Sequence, residues 1–162
     1  MIEKQINEKE FDFISPRDKG FIVDFTQALE EMGYTYGDTI GSGFCWGKYM
    51  LIFRKASVKS KNVVARIYIR DNSIVLRLFL NNVSKHSEYL STTPHYIKNV
   101  FVRDHGKCTH CRDNCRFRKE YEVDGLKYEK CSGVTFEFYD PTDEKLNDFL
   151  NLFREFYPKK RA

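Results

Sequence analysis

The spacing of hydrophobic residues changes along the chain, and three stretches have the three- and four-residue steps of an amphipathic helix. The first is expected to begin at Ser15, a suitable N-cap that precedes a proline, and to end at Gly33. A shorter helix is expected after Thr93. The most regular stripe runs from Leu146 to Tyr157, after the capping sequence Asp140-Pro141-Thr142-Asp143 and before Pro158, so the sequence predicts a third helix there.

Between the first two helices the pattern changes to the two-residue alternation of β-strands. Strands are predicted at 48–54, 62–70 and 73–80, and the last two flank Asp71-Asn72, which favours a tight antiparallel turn. Aliphatic side chains share one face of this hairpin: Val63, Ala65, Ile67 and Ile69, with Ile74, Leu76, Leu78 and Leu80. The opposite face is mixed: Val64, Arg66, Tyr68 and Arg70, with Val75, Arg77 and Phe79. The aliphatic face therefore requires a cover of helices.

The C-terminal third contains a cysteine cluster with metal-ligand spacing. Cys108-x2-Cys111-x3-Cys115 is followed by Cys131, and the residues between form a predicted hairpin with a turn at Asp124-Gly125. This turn pairs Cys131 with Arg118 and brings the fourth cysteine back towards the other three. Four thiolates suit tetrahedral Zn²⁺, and a closed four-ligand site indicates a structural metal.

Other interpretations of the cluster remain open at this point. An iron–sulfur cluster, redox or disulfide chemistry, and a fortuitous grouping are alternatives to zinc. His105 or His110 could replace one cysteine as a ligand. The fifth cysteine, Cys45, stands beside Trp46 and is expected to be a small buried hydrophobic residue.

The elements together predict one α+β domain over residues 1–162. We expect an antiparallel sheet of four to five strands, with helices packed on one face. A zinc knuckle and β-hairpin, at about 105–131, is inserted before the last strand. The length of 162 residues is enough for one well-buried core.

Composition excludes a membrane-spanning class and favours a reducing compartment. No apolar run is long enough to span a bilayer, and Met1 to Glu10 is charged and lacks the apolar region of a signal peptide. We therefore expect a cytoplasmic protein, in which clustered cysteines are more often metal ligands than disulfides.

The net charge of +4 is unevenly distributed, with basic residues concentrated in the strands and around the cysteines. Such asymmetry favours an anionic partner, because clustered cations attract negative charge. The leading hypothesis is a binding module in which the mixed face of the sheet and the Phe44–Trp46 loop form a pocket for a small anionic or aromatic ligand. The candidate ligand-binding residues are Phe44, Trp46, Arg66, Tyr68, Arg70, Arg77 and Phe79.

Two other functions remain open. The first is nucleic-acid binding by the basic knuckle, through Lys107, Arg112, Arg116, Arg118 and Lys119. The second is an enzyme of unknown class, which has the least support because no nucleophile–base pair has a recognisable motif and no catalytic residue can be assigned.

The cysteine segment also carries a resemblance. Cys108 to Arg118, then Tyr121 to Cys131, then Gly133-x2-Phe136-x-Phe138, resembles small uncharacterised bacterial proteins with a Cys-rich C-terminal half. The order of elements is similar to that of small bacterial α/β sandwich domains of unknown function. The resemblance implies the fold and the zinc, and it implies no activity.

Overall fold

The chain folds as a mixture of α-helices and antiparallel sheets, seen in a computed structural model that describes residues 1–57, 62–103, 118–131 and 134–158. Within these ranges the α-helices are α1 (Ile2–Gln5), α2 (Pro16–Glu31), α3 (Ser87–Ser91), α4 (His95–Phe101) and α5 (Leu146–Phe156). The strands are β1 (Tyr34–Thr35), β2 (Gly41–Ser42), β3 (Tyr49–Lys55), β4 (Val63–Ile69), β5 (Ile74–Phe79), β6 (Arg118–Val123), β7 (Leu126–Cys131) and β8 (Thr135–Tyr139). Short 3-10 turns occupy Lys9–Phe11, Phe44–Trp46, Val83–His86 and Asp143–Lys145. The predicted combination of helices with an antiparallel sheet is confirmed.

The helix α2 forms as its sequence predicts. Ser15 is its N-cap, with the side-chain oxygen accepting a hydrogen bond of 3.1 Å from the backbone N–H of Asp18, and Pro16 occupies the first helical position. Phe21, Ile22, Phe25 and Leu29 are buried along one stripe. The capping sequence and the stripe therefore agree on both the start and the orientation of this helix.

The main sheet has six strands within the described residues, in the order β1-β3-β4-β5-β8, with β2 also paired to β3. The expected count of four to five was wrong. Both β1 and β2 are two residues long, and they pair beside opposite ends of β3, Tyr34 opposite Lys55 and Gly41 opposite Met50. Two residues show no alternation, so no hydrophobic pattern marked them.

The two faces of the sheet are covered differently. Aliphatic residues such as Ile67 and Leu76 join the main core with residues from α2, α4 and α5. On the other face Met50, Tyr68 and Val75 form a second, small cluster with Trp46 and Ile52 packed against it. Within the described part of the chain, the second cluster contains no residue of an α-helix, whereas α2, α4 and α5 contribute to the main core.

One residue changes face relative to the prediction. Val64 was expected on the mixed face, yet it is buried in the main core. The register between β3 and β4 shifts at Phe53 and Arg54, where Phe53 pairs with Ala65 and Arg54 with Val63. Val64 is therefore the extra residue of a β-bulge, which turns its side chain away from strict alternation.

The hairpin β6–β7 has the predicted register, from Val123 opposite Leu126 to Arg118 opposite Cys131. Its turn end is attached to the helices: Ser87 Oγ accepts a hydrogen bond of 3.0 Å from the backbone N–H of Asp124, and Lys98 Nζ lies 2.8 Å from the Asp124 carboxylate. The cysteines 108, 111 and 115 of the predicted zinc knuckle lie outside the described residues.

The N-terminal residues join the core, which the charged sequence of Met1 to Glu10 did not indicate. Ile2, Ile6, Phe11 and Ile14 are all buried in the main cluster. Ile2 and Ile6 are four residues apart, on one side of a single helical turn. No described helix combines the length and apolar character needed to cross a membrane.

Candidate functional site

The mixed face of the sheet carries an arginine–aromatic cluster, formed by Arg66, Tyr68 and Arg70 of the β4 segment, Arg77 of β5 and Trp46. Antiparallel pairing places Arg66 directly opposite Arg77. Like charges in directly opposed positions destabilise a sheet unless other groups compensate for them. The contacts of the cluster show how this compensation is arranged.

A tight turn between two glycines holds Trp46 over the sheet. A Cβ atom on Gly43 would lie 2.5 Å from the carbonyl oxygen of Gly47, and one on Gly47 would lie 2.7 Å from that of Ile69. The turn therefore requires glycine at both positions. Arg70 Nε donates a hydrogen bond of 3.0 Å to the Trp46 carbonyl, which ties the turn to the end of β4.

Arginine and aromatic side chains alternate through the cluster. The Trp46 ring stacks on Tyr68, with ring centroids 5.5 Å apart, and the Arg77 guanidinium lies 4.2 Å from the Trp46 centroid. The Arg70 guanidinium lies 5.8 Å from Trp46 and 5.6 Å from Tyr139. These distances are within cation–π range, so the rings offset part of the cost of clustering the cations.

Hydrogen-bond donors outnumber acceptors at the centre of the cluster. The Tyr68 hydroxyl oxygen accepts from Arg66 Nη1 at 3.2 Å and from Arg77 Nη1 at 2.9 Å. Both lone pairs of that oxygen are then used, and its own proton has no acceptor among the described residues. The Nε atoms of Arg66 and Arg77 are also buried, and no described residue accepts a hydrogen bond from them. Within the described ranges, three donors at this site therefore lack an acceptor.

One carboxylate supplies the negative charge. Glu137 of β8 lies 3.0 Å from Arg77 Nη2 and 3.4 Å from Lys130 Nζ, and all three side chains are no more than 14% exposed. Arg66 has no acidic partner in the part of the chain that the structure describes. The cluster therefore keeps an excess of positive charge after Glu137 is counted.

Most of the predicted ligand-binding residues come together here. Arg66 also lies 5.5 Å from the Phe79 ring, which places Phe79 at the border of the cluster. Phe44 does not join them, because its side chain is 80% exposed and makes no ring contact with the cluster among the described residues. Cys45 is exposed, so its assignment as a buried hydrophobic residue was wrong. The turn directs Trp46 inward and leaves Phe44 and Cys45 exposed to solvent.

Sequence reasoning missed Glu137, Lys130 and Tyr139. The alternation of Phe136 and Phe138 with Glu137 was available as a signal, since it places Glu137 on the face opposite the core. Lys130 could not be found in this way, because it belongs to the separate hairpin and reaches Glu137 only through tertiary packing.

The other predicted site residues lie mainly outside the described ranges. This applies to Cys108, Cys111 and Cys115, to His105 and His110, and to Lys107, Arg112 and Arg116. Cys131 and Arg118 are described by their backbone pairing alone, and Lys119 is exposed opposite Lys130. Among the described residues no group of three or more His, Cys, Asp or Glu side chains could hold a metal.

Comparison with known proteins gives no relative: no protein-family model, curated protein or solved structure matches the chain. Functional inference therefore depends on the chemistry of the cluster.

Proposed function

We propose that the protein is a binding module that takes a small planar anion at the arginine–aromatic cluster. The observation that carries this proposal is the surplus of donors: the Tyr68 hydroxyl and the Nε atoms of Arg66 and Arg77 have no acceptor among the described residues. Unpaired buried donors are costly, at about 1–3 kcal/mol each. A carboxylate or phosphate oxygen supplies the acceptors that these groups lack.

The aromatic members support a planar ligand. Trp46 is half-buried and Tyr139 is 54% exposed, and both lie within cation–π distance of Arg70. A flat ring can stack on the exposed side of Trp46 while its anionic substituent meets the guanidinium groups. Stacking and charge pairing then act on different parts of one ligand.

Access to the central donors requires the Phe44–Trp46 turn to shift. Tyr68 is only 2% exposed because the Trp46 ring covers it. Trp46 is the single tryptophan of the chain, so its fluorescence reports directly on this event.

The test is a titration of Trp46 fluorescence with benzoate and with AMP, using benzamide and adenosine as neutral analogues. We expect saturable changes with the anions and weaker ones with the neutral analogues. Arg66→Gln should weaken anion binding at least about tenfold, since hydrogen bonds to charged groups contribute about 1.5–3 kcal/mol. Lys127→Gln is the matched control, because it removes one exposed cation of the hairpin that has no contact with the cluster in the described residues.

Equal affinity for benzoate and benzamide, or equal weakening by Arg66→Gln and Lys127→Gln, would contradict the proposal. Thermal melting of each variant, recorded first, separates lost binding from lost folding. Single-stranded and duplex oligonucleotides are included to test nucleic-acid binding by the basic knuckle. That alternative requires affinity to fall steeply with salt, with a log–log slope of about −0.9 per phosphate contact on duplex DNA.

We also propose a structural zinc ion bound by Cys108, Cys111, Cys115 and Cys131. The register that pairs Cys131 with Arg118 supports it, because Cys115 precedes Arg118 by only three residues along the chain. Three residues span at most about 11 Å, so the chain length keeps Cys115 within reach of the position of Cys131. Elemental analysis of protein purified without added metal should give one zinc per chain, and Cys131→Ser should lose it. A metal-free wild-type protein would refute this site.

A further inference from the structure

A cleft lies beside the edge of the main sheet, away from the arginine–aromatic cluster. Its volume is about 1040 Å³, and its walls come from the C-terminal end of α2, from β1, from the adjoining ends of β3 and β4, and from the end of α5. We call it the edge cleft. A cavity of this size is at the upper end of the range for small-molecule sites.

Two aromatic residues of the lining, Tyr34 and Tyr157, are held by ring contacts and by a hydrogen bond. Tyr34 makes edge-to-face contacts with Phe153 at 5.2 Å and with Tyr157 at 6.2 Å. Tyr157 stacks on Phe153 at 4.7 Å and donates its hydroxyl hydrogen to the carbonyl of Phe79. Val64, the bulge residue of β4, adds an aliphatic wall. This surface is held in place before any ligand arrives.

Charged side chains stand at the rim. Lys55 and Arg154 line the cleft and are exposed, and neither has an acidic partner among the described residues. Arg154 donates a hydrogen bond of 3.2 Å to the side-chain oxygen of Asn151. Glu31 is the one acidic lining residue in the described part, so the rim carries one more cation than anion.

We propose that the edge cleft binds an amphipathic carboxylate, with the apolar body against Tyr34, Val64 and Tyr157 and the carboxylate between Lys55 and Arg154. The apolar part of the lining provides burial for a chain or ring, and the two cations outnumber Glu31, the single acidic residue of the described lining. This site is independent of the arginine–aromatic cluster, since the two share no residue.

The experiment is calorimetric titration of the full-length protein with hexanoate, octanoate and decanoate below their micelle concentrations, with decanol as the neutral analogue. Affinity should rise up to about fourfold per added methylene until the cleft is filled, since burying one CH₂ contributes about 0.8 kcal/mol. Lys55→Gln and Arg154→Gln should each weaken decanoate binding about threefold, as expected for an exposed charge pair. Lys85→Gln, an exposed cation elsewhere, is the matched control.

Trp46 fluorescence distinguishes the two sites. Decanoate should bind without changing it, because no cluster residue lines the edge cleft. Val64→Phe, which extends a large side chain from the wall, should weaken decanoate binding and leave any response of Trp46 to benzoate intact. No binding of decanoate, equal affinity for all chain lengths, or the same affinity in Lys55→Gln, Arg154→Gln and wild type would each overturn the proposal. A decanoate response that appears in Trp46 would assign the ligand to the cluster and also refute the edge cleft.

Discussion

Removing the charge of Glu137 should destabilise the fold far more than removing the charge of an exposed acid. In Glu137→Gln the amide oxygen can still accept one hydrogen bond, but Arg77 and Lys130 lose their only negative partner in the described residues. Their side chains are 12% and 13% exposed, so water screens them little. Breaking a buried ion pair on one side costs about 3–5 kcal/mol, and the retained hydrogen bond places this variant at about 3 kcal/mol.

Thermal and urea unfolding measure this cost. For a chain of this length about 3 kcal/mol lowers Tm by roughly 6–12 °C. The control is Asp71→Asn, which makes the same kind of substitution in the Lys48–Asp71 pair, 3.3 Å apart but 57% and 75% exposed. Exposed pairs contribute about 0–1 kcal/mol, so this variant should melt close to wild type.

The combined variant Arg77→Met, Lys130→Met and Glu137→Leu completes the test. Replacing all three charged residues by apolar ones avoids an unpaired buried charge, so it should recover most of the stability lost in Glu137→Gln. If Glu137→Gln and Asp71→Asn cost the same, burial does not control the strength of these pairs. The reasoning about the charge balance of the cluster would then be wrong.

Three further predictions concern other parts of the molecule. Asp143→Asn should stabilise the protein at neutral pH, because burial, and then the Asp24 carboxylate, raise the pKa of Asp143 and so make its ionised form costly in the folded state. Below pH 3.8 the carboxyl is protonated in both states, so paired melting curves should show the stability difference between variant and wild type vanishing there. Gly43→Ala should destabilise the folded protein by about 2 kcal/mol and shift the fluorescence emission of Trp46, since its Cβ would lie 2.5 Å from a backbone oxygen. A Cβ on Gly41 meets no atom within 4 Å, so the control Gly41→Ala should change neither stability nor emission. Burial raises the pKa of Tyr36 and of Tyr157 to about 12, so the stability of the fold should decrease as pH rises from 10 to 12. In an absorbance titration at alkaline pH, Tyr36→Phe and Tyr157→Phe should each remove one late ionisation phase, and an unchanged titration curve in either variant would refute that tyrosine's shift.

Local signals in the sequence were sufficient for the long elements. The cap at Ser15 fixed the start of α2, and Asp124-Gly125 fixed the register of β6 and β7 through to Cys131. These features depend on residues close together in the chain, where capping and turn chemistry act directly. The hydrophobic alternation likewise placed Arg66 and Arg77 on one face.

What the sequence did not predict depends on distant contacts. The strand β1 forms by pairing Tyr34 with Lys55 of β3, and the bulge at Val64 is the register shift between β3 and β4. Both features depend on how two separate strands pair. The sequence alone identified Trp46 as a candidate. The stacking of its ring on Tyr68 and the exposure of Cys45, however, follow from the turn between Gly43 and Gly47. Four separate regions of the chain line the edge cleft, so no local sequence motif predicts it.

The hydrogen bond from the Tyr121 hydroxyl to the carbonyl of Phe101 has a consequence for how this protein can evolve. It joins two residues that are 20 positions apart, and the cysteine segment lies between them. The two ends of that segment are therefore already held together by the core, so its loop-closure entropy is largely independent of what it contains. Each doubling of loop length then costs only about 0.6 kcal/mol. A change in the length of the segment should therefore cost the rest of the fold little stability, as long as Tyr121 and Phe101 keep their hydrogen bond.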